Sequence, residues 1–503
     1  MNNLSERLAS LSPEKLACIS EKLREQGKKS IDRPAIPRRL TLGPCPLSFA
    51  QRRLWFLQQM APNSPFYHIN SAARLTGALD LGALERALQE VTARHEILRT
   101  TFHSEEGEPI QRINPAPPIG ICVADLTQLY ESSQEELIAD LARLHGMRTF
   151  DLAQGPLVRL SLLRMNEEDH ILLLTLHHII MDGWSVGLLV KEMITLYSGD
   201  VSGERVNLPS PLLQYADYAS WQRGWLRGET LERELTYWRR QLADAPPLLE
   251  APADRPRRAV PTYRGGVQPV RLGLEVLGNL RNLCQGTAAS MFMVTLAGFK
   301  VLLSKYTGRK DILVGTPIAY REREELVGVL GLLLNTIVIR TNLGGDPSFE
   351  EVVRRVRSVT MEALTHQDAP FEKLVEELGK ERDASFNPIF QIWFVMQKIE
   401  ESGADALRRL SVRPMELKTE TTLFDLMLDL KEGKDELVGC FRYSSDLYEQ
   451  STIYRMARRF ERLMTGVANE PGKSISEIEL TTETERNDIR DWLRDDLETT
   501  INF

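Results

Sequence analysis

Leu173-Leu174-Thr175-Leu176-His177-His178-Ile179-Ile180-Met181-Asp182-Gly183-Trp184-Ser185 is the stretch on which the reading of this chain turns. Its apolar run is too short to span a bilayer and reads as a buried strand. The strand delivers two adjacent histidines to its end. Successive strand residues face opposite sides, so only one imidazole can enter a given cavity while the other packs in the body of the protein. Asp182 and Gly183 then form a turn, where glycine lets the backbone come close to a bound group. Histidine titrates at about pH 6.5, which suits proton transfer near neutrality. The competing readings are a purely packed histidine and half of a metal site. The other histidines lie in unrelated contexts and no second Cys/His cluster has ligand spacing, so neither a metal nor any other intrinsic cofactor is expected.

Working outward, residues Leu4 to Gln26 have helical apolar spacing, with a break and restart at Ser12-Pro13. Lys28 to Pro44 reads as a linker. A first α/β unit follows, with a helix from Leu81 to Arg94, the strand leading to His177, and a helix from Ser185 to Tyr197 that Ser185 would cap. Pro246, Pro247, Pro252, Pro256 and Pro261 mark Ala243 to Gly266 as a surface connection. Beyond it we expect a buried helix from Met291 to Leu303 and strands at Asp311 to Pro317 and Asn335 to Thr341. An amphipathic helix from Phe349 to Leu364, a strand pair at Phe424 to Leu430 and Leu437 to Tyr443, and a helix from Ile453 to Val467 complete the pattern. Two α/β halves leave a cleft at their junction, a common ligand location.

Composition narrows the function classes. The chain has 503 residues and a formal net charge of -8, which argues against a nucleic-acid-binding surface. Its 5 cysteines (Cys18, Cys45, Cys122, Cys284, Cys440) are odd in number and lack CxxC spacing, so reduced thiols in a cytoplasmic protein are expected. No secretory leader or membrane span is read in the sequence.

The string HHIIMDGWS resembles the HHxxxDG signature of nonribosomal peptide synthetase condensation domains, and the likeness recurs in order along the chain. Pro46-Leu47-Ser48-Phe49-Ala50-Gln51-Arg52-Arg53-Leu54-Trp55 is similar to the family's opening motif, and Arg94-His95-Glu96-Ile97-Leu98-Arg99-Thr100 to its second. Tyr215-Ala216-Asp217-Tyr218-Ala219-Ser220-Trp221-Gln222 resembles the fourth. Gly315-Thr316-Pro317-Ile318-Ala319-Tyr320-Arg321 with Gly331-Leu332-Leu333-Leu334-Asn335-Thr336 resembles the fifth. His366-Gln367-Asp368-Ala369-Pro370-Phe371 and Arg382-Asp383-Ala384-Ser385-Phe386-Asn387-Pro388-Ile389-Phe390-Gln391 are similar to the sixth and seventh.

The resemblance implies an α/β (α+β) fold of two chloramphenicol-acetyltransferase-like subdomains, arranged as a V-shaped pseudo-dimer around a central tunnel. The expected division is an N-terminal helix and linker (1–40), a subdomain carrying HHxxxDG (41–225), a second subdomain (226–480) and a tail or inter-domain linker (481–503). It implies amide formation, the amine of one carrier-bound aminoacyl group attacking the acyl or peptidyl thioester on another carrier. By position His178 is the catalytic imidazole, as base or as orienting group, and His177 is structural. The family pattern pairs Asp182 with Arg321 as a buried ion pair. The Gly183 N–H is a candidate oxyanion donor, and Ser48, Trp184 and Asn335 are candidates for lining the tunnel. Arg94, His95, Arg99 and Trp221 are read as scaffold.

Partners implied are upstream and downstream acyl or peptidyl carrier proteins, which supply the phosphopantetheine arms, and an adjoining adenylation domain; the chain itself is expected to be monomeric. Tyr320 and Leu332-Leu333-Leu334 depart from the usual fifth motif and alter volume near the tunnel. The third motif points to an L-accepting or lipid-starter subtype. The alternatives are a free-standing enzyme acylating a soluble amine or alcohol, an epimerisation domain, and a non-catalytic recruitment domain. The acidic tail Glu483 to Glu498, with Ile489, Trp492, Leu493 and Leu497, reads as a linker in preference to a docking segment.

Overall fold

The computed structural model describes residues 34–40, 43–129, 131–246, 252–378, 385–398, 410–415, 417, 421–481 and 485–487. The helix expected from Leu4 to Gln26, and the tail residues Ile489, Trp492, Leu493 and Leu497, lie outside them.

The first half runs β1 (Cys45–Pro46), α1 (Phe49–Met60), β2 (His68–Gly77), α2 (Leu81–Arg94), β3 (Thr100–Glu105), β4 (Glu108–Ile113) and β5 (Cys122–Asp125). It continues through α3 (Glu131–Met147), β6 (Val158–Arg164), β7 (Asp169–His177), α4 (Gly183–Ser202) and α5 (Tyr215–Trp225). The second half begins with α6 (Gly228–Gln241), β8 (Gly265–Leu272), α7 (Leu274–Thr287), α8 (Met291–Thr307) and β9 (Asp311–Ala319). Then come α9 (Glu324–Val327), β10 (Leu334–Asn342), α10 (Phe349–Thr365), α11 (Phe371–Glu377) and β11 (Ile392–Lys398). The last elements are β12 (Leu410–Met415), β13 (Leu426–Glu432), β14 (Leu437–Ser444) and α12 (Gln450–Asn469).

Strands order as β12-β2-β7-β6-β5 in one sheet and β10-β9-β11-β13-β14-β8 in the other, with a small β1-β4-β3 sheet beside the first. In the larger sheet β11 runs parallel to both β9 and β13, while the outer pairs are antiparallel. The core helices show why these segments fold as they do. In α10 the buried positions Phe349, Val352, Val353, Val356, Thr360 and Ala363 repeat at three and four residues, and Ser348 caps the helix on the Glu351 N–H. Helix α8 is buried almost all round, including Lys300, whose Nζ donates to the Ile312 and Ile339 carbonyls and Thr341 Oγ1. Burial holds that amine well below the usual lysine range. No single described helix is long and apolar enough to cross a membrane.

Each half has its own large hydrophobic core, one gathering Leu54, Leu88, Leu176 and Leu189, the other Trp238, Phe299, Val356 and Phe460, and a smaller third cluster gathers Ala72, Ala142, Leu163 and Leu173 in the first half. The division expected at 225/226 is crossed in two places. Leu326, Val329, Leu330, Leu332 and Leu333 pack in the first core, and β12 adds to the first sheet as an edge strand on β2, with Leu410 opposite Gly77. Two covalent excursions from the second half therefore complete the first. The end of the expected linker is also docked, since Ile36 joins the first core and Arg39 bonds Asp217 and Glu96.

Candidate active site

Strand β7 lies inside its sheet, antiparallel to β2 on one side and β6 on the other, and buried residues alternate onto both its faces from Leu173 to His177. Extended geometry ends at His177. A 3₁₀ turn takes over at His178–Ile180, so the turn as well as strand alternation sends the two imidazoles apart.

His177 is fully buried against His68 and Phe150. Its Nδ1 accepts from the Ile179 N–H at 3.1 Å and its Nε2 faces Gln58 Oε1 at 3.4 Å. Burial first, then the neighbouring His68 and His178, push it down to about 3, so it is neutral at physiological pH.

His178 points the other way, onto the wall of a cavity of about 1970 Å³. That wall draws on both halves, including Phe49, Tyr67 and His178 from the first and Pro317, Asn335 and Phe390 from the second. The His178 Nδ1 lies 2.7 Å from the Met181 carbonyl oxygen. A carbonyl only accepts, so in the neutral ring Nδ1 carries the proton and Nε2 keeps its lone pair. The backbone is fixed as well, the His178 N–H donating to the Tyr67 carbonyl at 2.6 Å.

Asp182 does not serve His178. It is the N-cap of α4, its Oδ1 accepting from the Ser185 N–H at 2.7 Å. Its Oδ2 accepts from the Leu333 N–H at 2.9 Å, and Arg321 Nη2 approaches the two oxygens at 3.2 and 3.3 Å. Arg321 is buried too, and donates Nη1 to the Leu326 and Val329 carbonyls and Nη2 to Ser185 Oγ. Burial lowers the guanidinium's affinity for its proton and the Asp182 charge opposes that. The expected N-cap role of Ser185 is corrected here: Asp182 caps the helix, and the Ser185 hydroxyl accepts from the Gly331 N–H and donates to its carbonyl.

Of the lining candidates, Asn335 is on the cavity wall, where its amide donates to the Gln367 and Ala369 carbonyls and to Tyr320 while Oδ1 accepts from the Phe371 N–H. Ser48 is not on the wall. It is sealed in the interior as the N-cap of α1, 2.8 Å from Tyr215 Oη. Trp184 is also off the wall, half exposed on the first turn of α4 with the Arg321 guanidinium 5.8 Å from its ring. Gly183, the first residue of α4, is exposed and outside the wall, and a Cβ there would meet nothing within 4 Å. Of the scaffold residues, Arg94 and His95 both bond Glu192, tying α2 to α4, while Arg99 donates to the Asn114 carbonyl just beyond β4.

Sequence reasoning missed Met181, whose contribution is a backbone carbonyl and leaves no trace in residue type. It also missed Tyr215, whose hydroxyl donates to the Leu332 carbonyl, and Gly331, where a Cβ would stand 1.9 Å from the Tyr215 ring. That glycine was visible in the fifth motif as a backbone position allowing close approach.

A family model described as "Condensation domain" matches residues 42–490. One of the linear gramicidin synthase proteins of Brevibacillus parabrevis is 43% identical over 446 residues, 88% of this chain and 6% of that protein. Phosphinothricin tripeptide synthetase PhsC of Streptomyces viridochromogenes is 38% identical over 495 residues, 97% of this chain and 45% of its own length. Among solved structures, the X-domain from teicoplanin biosynthesis aligns with a TM-score of 0.79 at 30% identity, over 89% of this chain and all of that one. The first condensation domain of the calcium-dependent antibiotic synthetase aligns at 0.74 over 87% of this chain and 99% of its own, with 22% identity, a likeness of fold alone. The chain spans 6% to 9% of the length of the three linear gramicidin synthase proteins it matches.

Proposed function

Since the chain belongs to the condensation-domain family of the nonribosomal peptide synthetases, an acyltransferase family with a chloramphenicol-acetyltransferase-like fold, we propose that it forms an amide between two carrier-bound substrates. The donor is an acyl or peptidyl thioester, and the acceptor is the amine of an aminoacyl thioester. The observation that carries this reading is the tautomer of His178, with Nδ1–H held by the Met181 carbonyl and Nε2 open to a cavity shared by both halves.

The amine attacks the thioester carbonyl and must shed a proton as it becomes an amide. Nε2 takes that proton, or orients the amine by accepting its hydrogen bond, and the proton leaves with the departing thiol. Asp182 and Arg321 hold the start of α4 in place. Gly183, at the exposed start of α4 and off the cavity wall, enters this reading only through its N–H, one of the first helical amides with no intrahelical acceptor. Phosphopantetheine arms come from upstream and downstream carriers, with an adenylation domain as neighbour. That the matched relatives are longer synthetase proteins supports this placement.

The test is a pair of loaded carriers followed by intact mass. We expect the donor's acyl mass to move onto the acceptor carrier. Unchanged loading with exchange of the α-proton would favour an epimerase, acylation of a soluble amine or alcohol a free-standing enzyme. Inert carriers would favour a recruitment domain.

A further inference from the structure

Part of the cavity wall is aromatic, and we propose that it forms a subsite for a planar apolar side chain, that of an aromatic amino acid or aryl acyl group, on one of the two substrates. The inference rests on the proposed function and adds the class of group that the site prefers. Trp393 and Phe424 lie nearly parallel, with ring centroids 4.6 Å apart and planes 8° apart. Phe390 continues the stack at 5.6 Å from Trp393 and 5.8 Å from Phe424, and Phe371 meets Phe390 at 5.5 Å. All four rings line the same cavity as His178.

The sheet register explains how they come together. Trp393 of β11 pairs with Gly315 of β9 and Met427 of β13, and Met427 pairs with Arg442 of β14. Directly paired residues share a face, so glycine, tryptophan, methionine and arginine form one row across four strands. Gly315 leaves the space that the Phe390 ring fills: a Cβ there would lie 2.2 Å from it. Trp393, Met427 and Arg442 line the cavity.

Phe424 and Met427 are half-buried at the cavity, with Trp393, Phe390 and Phe371 buried beside them, so the apolar area left to water is small and lies mainly on Phe424 and Met427. A planar apolar group laid on it removes apolar area from solvent and gains ring contacts beyond burial alone. A small aliphatic side chain would cover less of that area and make no ring contact.

The experiment uses the whole chain with donor and acceptor pantetheine thioesters bearing either a benzyl or a methyl side chain, in all four combinations. Wild type is expected to favour benzyl about tenfold in kcat/KM at one position, and the position identifies whether donor or acceptor occupies the subsite. In Trp393→Ala, and independently in Phe424→Leu, the benzyl-to-methyl ratio should fall about tenfold, whereas Trp393→Phe should largely retain it. Calorimetric binding of the same thioesters gives a second readout that does not require turnover, with benzyl tighter in wild type and the difference lost in the variants. Absence of condensation with every pair would defeat the proposed function, and the binding arm would still judge the subsite. Equal benzyl and methyl values in wild type, or a preference unchanged in folded Trp393→Ala and Phe424→Leu, would overturn it.

Discussion

Adjacent histidines with the same side chain have opposite chemistry because of what their nitrogens face. In His177 the Nδ1 accepts a backbone proton inside the core, and in His178 it donates to a carbonyl, leaving Nε2 open. The folded-state value of about 3 for His177 lies below its ordinary value near 6.5, so as pH falls the unfolded chain takes the proton first. His145, lowered to about 4 by burial and then by Arg159 and Arg148, acts in the same direction. Their contribution to stability is complete above about pH 6.5 and is lost progressively toward pH 3–4, with the fully buried His177 supplying the larger part. Denaturant titrations from pH 7.5 to 4 should show this fall. His177→Asn, which can still accept from the Ile179 N–H, should be less stable at pH 7 with a flatter pH profile. A slope equal to wild type would contradict the assignment. Gly183→Ala should melt with wild type, since its Cβ meets nothing, yet turn over more slowly if the backbone there approaches the thioester. Full activity would remove Gly183 from the mechanism.

At the scale of elements, the start of α4 is fixed by charge as well as by capping. Asp182 collects bonds from Ser185, Leu333 and Arg321, so Asp182→Ala strips the cap and leaves a buried guanidinium without its counter-charge. A loss of about 3–5 kcal/mol is expected by denaturant unfolding. A variant as stable as the parent but inactive would instead make Asp182 a direct participant in the chemistry. Strand β12 makes a separate prediction. Leu410 is buried in the first core although it comes from the second half of the chain, and Leu410→Ala should cost about 2–5 kcal/mol. No loss would mean that the strand is a loose appendage. Elements with strong local periodicity were legible in the sequence. The helix expected from Leu81 to Arg94 is α2 to the residue, and the strands around Asp311 and Asn335 differ from β9 and β10 only at their ends. The crossing strand was not legible, because its six residues carry pairing information that exists only in β2.

For the whole molecule, the family and the two-part α/β architecture were legible because motifs that meet in space are short and ordered in sequence. Asp182 and Arg321 are an example, 139 residues apart and joined in one ion pair. Wall composition was less legible: Ser48 belongs to the opening motif yet caps a helix, while Trp393 and Phe424 fall outside every family motif and stack in the cavity. Motif membership reports that a residue is needed, and burial and partners report for what. The two halves together wall the cavity that His178 lines, and the proposed function has groups from two separate carriers meet there. Single-turnover transfer between loaded carriers, compared for wild type and His178→Ala at matched melting temperature, tests this most directly. Removal of Nε2 should slow acyl transfer by about 10²–10⁴-fold with the fold intact. Transfer at a rate near wild type in a folded His178→Ala protein would contradict the account.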